Sequence, residues 1–150
     1  MKKVLLSLFV LSFLISCNGP SKGPVMADQP AAELLDSKGK ITTDKVDVKI
    51  EKSEGAVSVA ELLANKKKYE GKTVTVTGKV TKVNMAIMGK NWIHLQDGTD
   101  FEGAYEITVT SVLEPKEGEV ITLTGTIALD KDFGYGYMYD ILMEDGVISE

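Results

Sequence analysis

The stretch KTVTVTGKV, residues 72–80, decides the fold of this chain. Its polar and apolar residues alternate, so Val74, Val76 and Val80 face one side while the threonine and lysine side chains face the other. Gly78 stands on the apolar side, where a missing side chain is typical of a bend or a close backbone approach. The pattern predicts a coiled β-strand with one face in a core.

Further segments of the same period follow along the chain. They are residues 92–96, 105–110, 119–129 and 137–142, separated by turns rich in Gly, Asp and Pro. One helix precedes the first strand, because Ser58 and Glu61 fit a capping box and the lysines of residues 66–68 suit the last helical turn. Short strands with glycines at their bends favour a five-stranded Greek-key barrel of the all-β class, with one short N-terminal helix.

The N-terminus has the pattern of a lipoprotein export signal. Two lysines precede an apolar run, residues 4–15, that is too short to span a bilayer and ends in a lipobox-like sequence at Cys17. We expect residues 1–17 to be a signal peptide and the Cys17 thiol to be lipidated, which makes the membrane a partner. Asn18 follows the cysteine, and this favours transfer to the outer membrane. The protein is thus predicted to be located at the periplasmic or outer face of the cell envelope.

The next segment is predicted to be a tether. Three prolines and scattered glycines, serines and charges interrupt any regular pattern over residues 18–55. Apolar and charged residues alternate over residues 46–51, so this part is either an edge strand laid on the domain or extended tether. The folded domain is predicted to span residues 56–150.

Composition narrows the function. The chain has 150 residues, a net charge of −5, one Cys, one His and 17 basic residues, all of them lysine. A nucleic-acid-binding protein with a net negative charge and no arginine would be unusual. The chain also lacks a nucleophile elbow, a phosphate-binding glycine loop and a His-based metal motif. Its clustered carboxylates, at residues 97–102 and 130–132, are more typical of turns than of a Ca²⁺ site. We expect no catalytic residues, no cofactor and no metal.

A family resemblance rests on segments at the start of the first strand and beyond it. The segments GKTV at 71–74, NWIHLQDG at 91–98 and ALDKDFG at 128–134 resemble those of small bacterial exported or lipoprotein OB-fold domains. The resemblance covers about residues 57–145 and implies an OB-fold barrel with a nucleic-acid-type binding function. One departure concerns the helix that OB-folds often place between strands three and four. Here residues 111–118 are too short for a long helix, and the convincing helix precedes strand one, where it could plug the end of the barrel.

OB domains bind ligands across strands two and three and between the loops that join strands 1–2 and 4–5. In this chain those loops, residues 83–91 and 130–136, are unusually apolar. The predicted ligand contacts combine stacking or apolar surfaces with polar groups: Trp92, Met88, Phe133, Tyr135, Tyr137, His94, Gln96, Lys79 and Lys90. The alternative is that the two loops fold over each other into a satellite core around Trp92, although partly buried rings could line a cleft as well.

The expected function is that of a non-enzymatic OB-fold binding module on a membrane-anchored lipoprotein. The family resemblance implies that the ligand of this module is a single-stranded nucleic acid or an oligonucleotide. The alternative is a module that binds a protein or glycan of the cell envelope, because exposed apolar loops and tyrosines often mark such sites. The acidic charge opposes nucleic acid, since basic residues dominate affinity for phosphates.

Overall fold

The alternating segments do form strands, and all of them belong to one sheet. The computed structural model describes residues 43–134 and 136–149, so Cys17, Tyr135 and the predicted signal peptide and tether up to residue 42 lie outside the described residues. The elements are α1 Val59–Ala64, α2 Lys66–Tyr69, β1 Thr73–Ile87, β2 Lys90–Gln96, β3 Ile107–Ser111, β4 Val120–Asp132 and β5 Met138–Ile148. The prediction of a mostly β protein with five strands is confirmed.

The strands are hydrogen-bonded in the order β1-β2-β3-β5-β4, and β4 pairs with β1 to complete a ring. Neighbouring strands are antiparallel except β3 and β5, which are parallel and share the single register pair Val109 and Met143. By contrast, β1 and β4 pair without interruption from Thr73 to Lys79. The ring is therefore barrel-like but unevenly closed, with its weakest seam between β3 and β5.

The core fills the inside of this ring. Val74, Val76 and Val80 are buried there, as the alternation of β1 predicts, and α1 adds Val59 and Leu62. The β1 threonines on the other face also find partners, for the Thr75 and Thr77 hydroxyls lie 2.7 and 3.0 Å from threonine hydroxyls of β4. One face of the β1–β4 pair thus packs in the core, and the threonine hydroxyls on the other face are hydrogen-bonded to each other.

The helix begins as its capping residue predicts. Glu61 N donates to Ser58 Oγ at 3.2 Å, which confirms one half of the capping box. The Glu61 carboxylate itself accepts a hydrogen bond from Tyr69 OH at 2.7 Å. A second cap comes from the turn after β2, where Asp97 Oδ2 accepts from Val59 N at 2.9 Å. Asp97 therefore joins the helix to the barrel.

Several elements differ in extent from the prediction. β1 and β4 continue into the predicted loops, to Ile87 and Asp132, and β5 runs on to Ile148. Register shifts in β1, one of them between Asn84 and Ile87, let the strand coil while it keeps its pairing with β2. The predicted single helix is also broken into α1 and α2 at Asn65.

An extended segment, residues 43–50, lies against the barrel, and we call it the N-terminal strap. It is not a strand, and its backbone joins the sheet at Ile50 N, which donates to Asp97 O at 3.2 Å. At Gly98, with a φ of +88°, a Cβ atom would stand 1.7 Å from Val48 O, so only glycine permits this approach. The folded unit thus includes residues 43–55, which the sequence pattern assigns to the tether.

Candidate binding groove

The outer face of β2 is covered along its length. Trp92, His94 and Gln96 share this face, as the alternation predicts, but they are only 5%, 0% and 1% exposed. Gln96 is held by the strap: its Nε2 donates to Thr43 Oγ1 at 2.8 Å and to Asp44 O at 2.9 Å, and its Oε1 accepts from Val46 N at 2.9 Å. With these bonds made, Gln96 fastens the strap and offers nothing to a ligand.

His94 lies in a buried polar network beside Gln96. Its Nε2 is 3.2 Å from Asn84 Nδ2, and its Nδ1 is 3.2 Å from Glu106 Oε1. Because an amide nitrogen only donates, Nε2 accepts from Asn84 and Nδ1 carries the proton that is donated to Glu106. The other Glu106 oxygen accepts from Thr43 Oγ1 at 2.7 Å. The network therefore connects the strap, through Glu106 and His94, to Asn84.

The outer face of β3 is buried too. Alternation along β3 turns Glu106, Thr108 and Thr110 away from Ile107 and Val109 of the core, yet all three are buried. The strap contacts Glu106, and Asp145 N donates to Thr110 Oγ1 at 3.3 Å. Tyr105, just before β3, donates its hydroxyl to Thr43 O at 2.9 Å. Burial, followed by the nearby carboxylates of Glu106 and Asp44, raises the pKa of Tyr105 above its usual value.

Three aromatic rings form a separate cluster beyond the strap. The Trp92 ring lies 5.0 Å from Phe133, edge to face, and 5.1 Å from Tyr139, while Leu142 completes the cluster. The indole Nε1 donates to Ile87 O at 3.0 Å, so the polar atom of the ring is satisfied by the β1–β2 hairpin. Of the two apolar loops, only Phe133 packs in this cluster, whereas Met85, Ile87 and Met88 of the first loop are exposed, so the loops do not close over each other as a satellite core.

A groove of about 300 Å³ opens above this cluster. Its lining is apolar and aromatic apart from one amide: Asn84, Ile87, Met88, Trp92, Phe133, Tyr137 and Tyr139. Met88 and Tyr137 form its exposed edges, at 69% and 44% relative exposure. The partly and fully buried rings of the cluster are therefore the floor of the groove.

The structure brings together some of the predicted ligand residues and not others. Trp92, Met88, Phe133 and Tyr137 line the groove, and His94 and Gln96 are buried next to it. The two predicted lysines do not line it. Lys79 pairs with Gln96 and Val120 in the sheet, and Lys90 forms an ion pair with Asp145.

Three lining residues were absent from the predicted set. Asn84 and Ile87 belong to the apolar segment that the sequence assigned to the first loop, and β1 carries them to the groove. Tyr139 follows Tyr137 at a spacing of two, which places both side chains on one face of an extended chain. That spacing was the signal available for Tyr139.

Over residues 43–134 and 136–149, no three His, Cys, Asp or Glu side chains are grouped as metal ligands would be. In the same part of the chain, none of the helices has the length and apolar character to cross a membrane.

Comparison with known proteins adds no family assignment. The sequence matches no protein-family model and has no significant match among curated proteins. The resemblance to OB-fold lipoproteins therefore stays a prediction that rests on the residues quoted above.

Proposed function

We propose that this protein is a non-enzymatic binding module of the OB type that holds an apolar segment of another cell-envelope protein in the groove above Trp92. The observation that carries the proposal is the groove itself. Aromatic rings form its floor, and exposed apolar side chains form its edges. Concave apolar sites with few polar groups are the usual ligand sites of proteins.

The OB assignment is part of this proposal. An OB-fold is a five-stranded, partly open Greek-key barrel that binds across strands two and three and between the 1–2 and 4–5 loops. The strand order β1-β2-β3-β5-β4 supports it. The groove supports it as well, because Met88 and Phe133 come from those two connections and Trp92 comes from β2.

Charge and burial favour a protein segment over a nucleic acid. Phosphate neutralisation by lysine and arginine dominates nucleic-acid affinity, yet none of the described lining residues is basic. His94 and Gln96, the polar groups that could contact base edges, are buried, and the strap occupies the amide of Gln96. The net charge of −5 also suits an apolar ligand flanked by lysines better than it suits a polyanion.

Burial also argues against acid–base catalysis by His94 and Glu106, the pair of described residues best suited to it by side-chain chemistry. His94 and Glu106 are hydrogen-bonded to each other, and their side chains are 0% and 4% exposed. A general acid or base must come within hydrogen-bond reach of its substrate, and a pair this deeply buried does not.

The proposed localisation rests on the sequence of the N-terminus. Export, lipidation at Cys17 and an Asn18 that favours outer-membrane transfer would place the groove in the envelope. There it meets other exported proteins, and the lipid anchor raises their effective concentration.

The test uses the single tryptophan of the chain as its reporter. The chain from residue 18 to residue 150 contains every described residue, and all the contacts reported above lie within it. It is titrated with a blocked peptide, lysine–leucine–phenylalanine–leucine–lysine, and separately with oligothymidylate at low and physiological salt. We expect the peptide to change Trp92 emission saturably and the oligonucleotide to leave it unchanged.

A matched pair of variants locates the binding. Tyr137 and Met138 are neighbours with similar exposure, 44% and 47%, but only Tyr137 lines the groove. Tyr137→Ser should weaken peptide binding about tenfold, the equivalent of about 1.4 kcal/mol, whereas Met138→Ser should leave it unchanged. Salt-sensitive binding of oligothymidylate, with no response to the peptide, would overturn the protein-ligand proposal in favour of nucleic acid.

A further inference from the structure

Asn84 alone among the described residues that line the groove carries an amide, and the pairing of β1 with β2 sets its place. It lies directly opposite Trp92 in that register, so the two side chains are neighbours on one face of the sheet. The amide therefore stands beside the indole ring that forms the floor of the groove.

A buried series of hydrogen bonds decides which end of this amide faces His94. Because Glu106 accepts from the Nδ1–H of His94, the other ring nitrogen, Nε2, is an acceptor. Asn84 therefore turns its Nδ2 toward His94 Nε2, at 3.2 Å. Glu106 is itself held by the strap, since its second carboxylate oxygen accepts from the Thr43 hydroxyl at 2.7 Å. The network thus holds the amide in one orientation.

The oxygen end of the amide is left for a ligand. Among the described residues, Asn84 makes no side-chain hydrogen bond besides the one to His94, so its Oδ1 is an unused acceptor. Asn84 is half-buried, and because its Nδ2 faces the fully buried His94, Oδ1 is the end that is open to the groove. The indole nitrogen of Trp92 is already occupied, since it donates to Ile87 O. Apart from the tyrosine hydroxyls, Asn84 Oδ1 is thus the acceptor that this apolar lining offers.

We propose that Asn84 Oδ1 accepts a hydrogen bond from an N–H group of the bound segment and so selects segments that combine an apolar side chain with a donor. This inference rests on the proposed function, because it concerns recognition in the same groove. A segment without the donor would leave the oxygen unpaired as it closes the groove, and a carboxylate or phosphate oxygen would be repelled by it. An acceptor that is already oriented also costs little further ordering on binding.

Two sources supply such a donor, the backbone of an extended segment and the indole of a tryptophan, and two peptide sets distinguish them. The first set is the blocked peptide lysine–leucine–phenylalanine–leucine–lysine and three forms of it, each methylated on one of the three central backbone nitrogens. The second set has tryptophan in place of phenylalanine, with its indole nitrogen free or methylated. All are titrated into the isotope-labelled chain from residue 18 to residue 150 and followed by nuclear magnetic resonance.

Methylation of the N–H that binds Asn84 should weaken the affinity about tenfold, and the set in which this happens identifies the source of the donor. The parent peptide should also shift the Asn84 Cγ resonance, whereas the form methylated at that nitrogen should not. Both readouts are obtained on the unaltered chain and do not depend on any variant being folded.

Two variants separate recognition by Asn84 from a structural role. Asn84→Leu has a side chain of similar size without the acceptor, so the parent peptide and the methylated form should bind it with equal affinity. Asn84→Asp keeps an acceptor oxygen and should keep the preference for the donor, although it loses the amide bond to His94. A structural role alone would make the two variants alike.

Two outcomes would count against these claims in different ways. Equal affinity for parent and methylated peptides in both sets, with the Asn84 Cγ resonance unmoved while the Trp92 indole resonance shifts, would overturn the inference and leave the proposed function intact. Absence of any shift at Trp92 with every peptide would overturn the proposed function, and this inference with it.

Discussion

Replacement of Gly98 by alanine should detach the strap while the barrel stays folded. A Cβ at this position would lie 1.7 Å from Val48 O and 2.8 Å from Val48 C. Both atoms belong to the backbone, so no side-chain rotation relieves the overlap. The strap must move away near Val48, and with it the hydrogen bond from Ile50 N to Asp97 O is lost.

Gly103 offers a matched control. Its φ of +83° is close to the +88° of Gly98, but a Cβ there would meet nothing within 4 Å. Both substitutions place alanine in left-handed backbone, which costs about 1–2 kcal/mol. Only Gly98→Ala also loses strap contacts, so the difference between the two variants measures strap docking.

The expected difference follows from the strap contacts near Gly98. The lost hydrogen bond is worth about 0.5–1.5 kcal/mol. The half-buried side chains of Val48 and Ile50 add apolar contact that is lost as well. Gly98→Ala should therefore lower the free energy of unfolding by about 2–4 kcal/mol, against about 1–2 kcal/mol for Gly103→Ala.

Urea unfolding measures these free energies, and amide hydrogen exchange shows where they act. In Gly98→Ala, protection should fall most at the Val46 and Ile50 amides, whereas core amides such as Ile93 should follow global stability alone. Equal destabilisation in the two variants, with protection retained at Val46 and Ile50, would refute the reasoning.

Three further perturbations probe the covered face and the barrel. Because burial and then the neighbouring carboxylates raise the pKa of Tyr105 above about 10, an ultraviolet titration compared with Tyr105→Phe should show it ionising after an exposed tyrosine. The folded chain then holds the Tyr105 hydroxyl proton more tightly than the unfolded chain does. The contribution of Tyr105 to the free energy of unfolding is therefore complete below about pH 10 and is lost as the pH rises through the raised pKa. Ionisation of Tyr105 at the ordinary pKa would contradict this prediction. Glu106→Gln keeps one acceptor oxygen and replaces the other with an NH2 donor, so either His94 or Thr43 loses its acceptor. The free energy of unfolding in urea should fall by about 1–3 kcal/mol, and an unchanged midpoint would count against the buried network. Gly125→Ala would place a Cβ 2.6 Å from Met143 Cγ and 2.7 Å from Glu144 O. It should therefore lower the free energy of unfolding by about 1–3 kcal/mol in calorimetry, whereas an unaltered Tm would mean that β4 and β5 separate easily there.

The strands were predictable because alternation reports directly on which residues face a core. Val74, Val76 and Val80 are buried as their spacing indicates, and the short segments around them pair into one sheet. Alternation does not reveal what covers the other face. For that reason the pattern gives no sign that Glu106 and Thr108, on the opposite face of β3, are buried.

The strap was not predictable for a related reason. Its fastening depends on side chains far along the chain, such as Gln96, Tyr105 and Glu106, and on a close approach at Gly98 that needs no particular residue in the strap. Local pattern in residues 46–51 could therefore indicate extended backbone but not its docking site.

The groove could be predicted in part, because apolar residues in loops require a cover or a ligand. Met88, Phe133 and Tyr137 were found in this way, and the structure places them around Trp92. The lysines were assigned to the same site by their position in sequence. Lys90 instead reaches Asp145 on β5, and that pairing depends on the way the strands close around the ring.

The most direct test of the central claim, that the groove above Trp92 is the ligand site, is a chemical-shift map of the chain from residue 18 to residue 150. The indole Nε1–H of Trp92, which donates to Ile87 O, is a unique reporter on the floor of the groove. The account predicts that the lysine–leucine–phenylalanine–leucine–lysine peptide shifts this resonance together with the amides of Ile87 and Tyr137. Shifts confined to the lysines of β1 on addition of oligothymidylate, with the indole resonance unmoved by the peptide, would contradict it.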